Sequence, residues 1–155
     1  MASIPETDAS APGLRGIDAA ALDGAVGFWL RLAQQQDLRG FNRTFAPFGV
    51  SQVAYSMLLL IAANPGCRQA DLGVVLRTRQ PNLVEPIDGL IARGLVQSRP
   101  DPDDRRAQTL ALTPDGETLL ARLRAAHDGL IARYRERLGT EDYDQLNTLL
   151  RRLVA

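Results

Sequence analysis

The chain has 155 residues, 45% of them apolar, with 18 basic against 18 acidic side chains and therefore no formal net charge. That length carries one domain with a real core. Zero charge excludes a strongly basic coat, so any nucleic-acid contact must come from locally placed cations.

The longest apolar run, Met57–Ala63, is too short to cross a membrane. All 18 cations are arginines, planar forks suited to bidentate contacts. The single cysteine, Cys67, cannot form an internal disulfide, and no basic segment followed by an apolar block opens the chain. Together these predict a cytoplasmic protein.

Residues 1–15 are rich in small polar residues and proline and read as a disordered tail ahead of a single domain over 16–155. Asp18 is placed to cap a long helix reaching Phe45. Leu22, Val26, Trp29, Leu30, Ala33, Phe41 and Phe45 fall mostly at three- and four-residue spacing along it. Asp37 and Gly40 weaken its middle and predict a break. Pro47 and Gly49 mark a turn, Ser51 caps a second helix to about Ala63, and Asn64-Pro65-Gly66 turns the chain again. Two short helices follow, Arg68 to Leu76 and about Gln80 to Arg93, the second stopped by Gly94. Pro86 removes a bond to the Asn82 carbonyl and predicts a kink or a late start. Gly73 predicts loose packing of the first of these two helices, Arg68 to Leu76.

Leu95–Arg99 and Arg106–Leu112 read as the strands of a hairpin. Pro100 and Pro102 remove ladder donors, predicting that pairing stops there and that Asp101, Asp103, Asp104 and Arg105 project into solvent. Thr113-Pro114 opens a helix to about Leu138, and Gly139-Thr140 ends it and starts a last one striped by Tyr143, Leu146, Leu149, Leu150 and Leu153. The class is mainly α: six helices plus a two-stranded hairpin, with a core over about 50–116 between terminal helices over about 17–46 and 114–155. Nothing in one chain covers the terminal stripes, which predicts a homodimer joined through both ends. A hairpin ending in arginines behind a helix pair has the shape of a DNA-binding wing.

The segments A-D-L-G-V-V-L (Ala70–Leu76), P-N-L-V-x-x-I-D-G-L-I-A-R-G-L-V (Pro81–Val96) and D-R-R-A-Q-T-L-A-L-T-P-D-G (Asp104–Gly116) resemble the multiple antibiotic resistance regulator (MarR) family of winged helix-turn-helix repressors. The joint order G-L-V, short gap, D-x-R, L-T-P-x-G is specific, and the likeness covers about residues 17–155. It implies a symmetric homodimer on a pseudo-palindromic operator of double-stranded DNA, with recognition helices in major grooves and wings in minor grooves. It also implies release by a small-molecule or redox signal. The family's wing element falls on Asp104 and Arg106, with Arg105 between them. Arg106 would enter the minor groove and Asp104 would hold it there. Thr78, Arg79, Gln80 and Asn82 would read base edges or phosphates, and Arg68 and Gln69 would contact phosphates that set register. Glu85 falls on the groove side, where it repels phosphate unless it accepts from a cytosine amine. Trp29 and Tyr55 read as core packing or, alternatively, as the aromatic lining of the family's effector pocket, with Arg39 or Arg43 at its mouth. Such a pocket suits a small aromatic or phenolic carboxylate.

Beside Arg68 and a helix start, Cys67 reads either as a redox sensor with a lowered pKa or as a small packing residue. His127, the only histidine, has no ligand cluster around it in sequence, so neither metal nor cofactor is expected. No phosphate loop, nucleophile motif or spaced carboxylate pair supports an enzyme. A winged helix that binds protein instead of DNA stays open, favoured by the zero net charge and by Glu85.

Overall fold

The computed structural model describes residues 19–155 apart from Gln80, Asp103, Arg105 and Arg106. The tail expected over 1–15 and the Asp18 cap lie outside the described residues. The chain divides into two compact units, Met1–Gln36 and Asp37–Ala155.

In the first unit a 3-10 turn, Ala19–Leu22, precedes helix α1, Val26–Phe45. The long helix therefore starts at Val26, later than Asp18: the chain turns at Asp23 and Gly24, and the Trp29 indole donates back to the Asp23 carbonyl at 3.3 Å. Leu22, Val26, Trp29 and Leu30 are exposed.

In the second unit, α1 gives way to a 3-10 turn at Ala46–Phe48, then to α2 (Gln52–Ala63), β1 (Cys67–Arg68), α3 (Gln69–Val75) and α4 (Pro81–Ala92). Strands β2 (Val96–Pro100) and β3 (Gln108–Leu112) follow, and then helices α5 (Pro114–Leu138) and α6 (Thr140–Val154). This is the mainly helical winged helix-turn-helix that the sequence predicts, with one addition. The sheet has three antiparallel strands in the order β1-β3-β2, because Cys67 and Arg68 pair with Leu110 and Thr109. A two-residue strand leaves no periodic signal in a sequence.

Helix α2 starts at Ser51, whose hydroxyl accepts the Ala54 N–H at 3.2 Å. It runs through the middle of the core and buries Tyr55, Met57, Leu58 and Ile61. Around these pack Phe41 and Phe45 of α1, Leu72 of α3, Leu83, Ile87 and Leu90 of α4, Leu110 of β3, and Leu120, Leu123 and Leu130 of α5. No break appears in α1 at the residues expected to weaken it. The Asp37 carboxylate accepts from the Tyr134 hydroxyl at 3.0 Å and from the Gln52 side chain at 2.9 Å, joining α1 to α5 and α2. At Gly40 a Cβ would stand 3.1 Å from Leu130, so α5 approaches α1 where the side chain is missing. Among the described residues no single helix is long and apolar enough to cross a membrane.

Thr113 and Pro114 open α5 as expected: the Thr113 hydroxyl accepts from the Gly116 N–H at 3.0 Å and donates to the Gly94 carbonyl at 2.6 Å. A Cβ on Gly116 would overlap the Leu95 carbonyl, which explains the glycine that closes L-T-P-D-G.

Candidate nucleic-acid interface

Helix α3 is set by its first residues. Asp71, in its first turn, accepts the Arg68 N–H at 3.0 Å, the acidic half of a capping box. The Arg68 side chain turns the other way, and its Nε donates to Asp101 at 2.6 Å. Asp101 is therefore not a solvent-facing tip residue: it is 6% exposed, the buried charge among the described residues. Its second carboxylate oxygen accepts the Asp104 N–H at 3.2 Å, and its own N–H donates to the Ala107 carbonyl at 3.0 Å. Ala107 in turn donates to the Asp104 carbonyl at 2.9 Å. One carboxylate thus closes the wing loop and ties it to the start of α3. A buried acid of this kind needs both a cation and N–H donors, and it has both.

Pairing also continues further than expected, since Pro100 stands opposite Gln108 at the last position of the ladder. β2 is an edge strand, and there a proline's missing donor costs no ladder bond.

The turn between α3 and α4 uses a residue that sequence reading passed over. Arg77 has φ +48°, the left-handed region that glycine prefers. Its N–H donates to Val74 at 3.2 Å and the Thr78 N–H donates to Gly73 at 3.0 Å, the paired bonds of a Schellman ending. Gly73 is buried, and a Cβ there would press on the Thr78 carbonyl at 3.1 Å and Leu83 at 3.3 Å. It permits a close approach and does not loosen the helix. The signal available in the sequence was an arginine standing where a helix-ending glycine belongs.

Helix α4 runs through Pro86 from Pro81 to Ala92. The helix does not start late; at Pro86 the Asn82 carbonyl loses its donor, and Asn82 is exposed, so water can reach it. Arg79 and Asn82 are exposed before and on the first turn, and Gln69 is half-buried. The Thr78 hydroxyl donates to the Leu76 carbonyl at 3.0 Å, so it helps to close the turn. Gln80, Arg105 and Arg106 lie outside the described residues; Asp104 is exposed at the wing. At the other end of α4, Arg93 donates to the Gly49 and Phe48 carbonyls at 2.8 and 2.9 Å, fixing the helix to the turn before α2.

The residues suggested for an effector fall in both units. Tyr55 is buried against Phe45 at 5.0 Å and His127 at 5.3 Å between ring centroids. Arg39 and Arg43 are exposed and lie roughly opposite Phe41 and Phe45 around α1. Trp29 belongs to the first unit.

Cys67, half-buried in β1, has its thiol pushed up, first by burial and then by the Asp71 carboxylate. Redox sensing needs the opposite shift. The expected help from Arg68 is missing because that guanidinium is engaged by Asp101.

A MarR family model matches residues 48–107. A regulatory protein assigned to the hcr operon of Thauera aromatica is 34% identical over 134 residues, 86% of this chain and 81% of that one. This protein belongs to the MarR family of transcriptional regulators. Its fold is shared by the transcriptional repressor CouR bound to a 23-mer DNA duplex, at 31% identity and TM-score 0.88 over 91% of this chain and all of that one. BpsR of Bordetella bronchiseptica, whose DNA binding is regulated by 6-hydroxynicotinic acid, matches at 25% identity and TM-score 0.77 over 84% of this chain and 98% of its own.

Proposed function

We propose that this family member is a homodimeric transcriptional repressor that binds a pseudo-palindromic operator in the cytoplasm and is released by a small aromatic acid. The observation that carries the DNA reading is the wing anchored through Asp101 to the first helix of a helix-turn-helix, in a fold close to that of a repressor seen on duplex DNA. In this reading α4 enters the major groove with Arg79, Gln80 and Asn82 at its leading end, and Thr78 beside them closes the turn. Arg105 and Arg106 reach the minor groove from the wing, and Asp104 orients Arg106. Arg68 keeps Asp101 in place and Gln69 lies next to phosphate. Arg77 joins the set, because a strained backbone that holds an exposed cation in the recognition turn is more easily understood as a phosphate contact.

The homodimer is supported by α6, which buries none of its residues in one protomer and exposes Leu146, Leu149, Leu153 and Val154. The effector reading is supported by the ligand named for BpsR. Trp29, Arg39, Arg43 and Tyr55 remain its proposed contacts.

The deciding experiment is fluorescence anisotropy on duplexes tiling the DNA upstream of the gene, with light scattering on the same samples. The expected result is one duplex bound far more tightly than the rest by a two-copy particle, with affinity falling as salt rises. A single-copy particle that ignores every duplex would sink the reading. Thermal shifts with benzoate- and nicotinate-type acids test the effector class.

A further inference from the structure

We infer that Glu85 is a specificity-determining residue that selects a cytosine in each operator half-site, and that Gly89, one turn on, lets α4 seat closely enough for it to do so. The inference rests on the DNA-binding reading and deepens it.

Leu83, Ile87 and Leu90 are the buried side of α4. At 100° per residue, Glu85 and Ala92 stand opposite that side, flanked by Asp88 and Gly89, and all four are exposed. This outer face is the part of a recognition helix that meets the groove floor. Between Pro81 and Ala92 the helix carries Glu85 and Asp88 and no cation; arginines stand before it at positions 77 and 79 and in β2 at 99. The exposed cations thus flank the helix outside its own span, and an acceptor occupies the outward face on which bases would be read.

An ionised carboxylate only accepts. Guanine shows two acceptors in the major groove, and thymine shows one acceptor with a methyl group. Adenine places its N7 acceptor beside its amine, whereas the amine of cytosine has no acceptor beside it on the same base. Cytosine is therefore the base that Glu85 can favour, and every misplacement toward phosphate or guanine is repelled. Specificity arises here as much from what is rejected as from what is bound.

Gly89 adds an independent observation. Glycine weakens a helix interior, and no atom lies within 4 Å of where its Cβ would be, so packing within the protomer does not require it. A missing side chain beside Glu85 lowers the helix surface and admits a close neighbour.

The test selects short randomised duplexes on the full-length wild type and on Glu85→Gln and Gly89→Ala, then measures affinities for the enriched sequences. The wild type should enrich a C·G pair in each half-site and lose roughly tenfold in affinity when that cytosine becomes thymine. Glu85→Gln should move the preference at that pair toward adenine, because an amide matches adenine's donor and acceptor, and should bind unselected duplex more tightly. Gly89→Ala should melt at a higher temperature yet bind the wild-type sequence more weakly. Glu85→Gln enriching the same sequence as the wild type would overturn the role of Glu85 while leaving the DNA-binding reading intact. Unchanged affinity in a stabilised Gly89→Ala would overturn the close seating. A wild type that enriches no duplex would sink the DNA-binding reading itself.

Discussion

Helices α3 and α4 finish with the same pair of hydrogen bonds and different residues. At the end of α4, Gly94 takes φ +68°, its N–H donates to Ile91 at 2.8 Å, and the next N–H, of Leu95, reaches Leu90 at 3.0 Å. At the end of α3 the equivalent position is Arg77, with φ +48°. A side chain in the left-handed region costs roughly 1–2 kcal/mol, which glycine does not incur. The α4 ending lies between core and wing and uses the residue that suits its backbone. The α3 ending, in the turn that leads to α4, carries a cation that the fold does not need.

That contrast can be broken by exchange. Gly94→Arg should lower unfolding free energy by roughly 1–2 kcal/mol in urea titrations, since it moves the strain of the α3 ending to α4; an unchanged midpoint would remove the energetic basis of the comparison. Thr113→Ala should cost about 1 kcal/mol, because it removes the α5 cap and the bond that holds the Gly94 carbonyl. Arg77→Gly should act in the opposite direction, gaining roughly 0.5–1 kcal/mol of stability. It should also bind operator more weakly, with the slope of log affinity against log salt smaller by about one contact. If Arg77→Gly gains stability and keeps both affinity and slope, the turn is merely strained.

The smallest effect expected is at Tyr134, away from both helix ends. Its phenol is pushed up to about 12, first by burial and then by its bond to Asp37. The folded state favours the neutral phenol, so its contribution is complete below about pH 10 and fades as pH rises from there toward about 12. Tyr134→Phe should therefore show a shallower alkaline loss of urea midpoint than the wild type, with the Arg77 and Gly94 differences unaltered.

What could be read from the chain alone was whatever one or two adjacent residues decide. Ser51, Gly94 and Thr113-Pro114 mark helix ends through their own hydroxyls or backbone freedom, and each stands where the spacing predicts. The wing was legible as a hairpin because its strands are local. Asp101 was not legible, since its partner Arg68 is 33 positions away and nothing near Asp101 distinguishes it from the acids that follow. β1 has only two residues and is defined by its neighbour β3. Asp37 and Gly40 read as weak points because propensity counts a polar residue and a glycine against a helix. Packing reverses that sign once Tyr134, Gln52 and Leu130 arrive.

Arg68 belongs at once to a strand, to the start of a helix and to the contact with Asp101. Wings are therefore not interchangeable cassettes in this protein. A loop transplanted from a relative would bring its own acid, or none, to a guanidinium whose position is fixed by α3. A chimera would keep its aim only when positions 68 and 101 travel together.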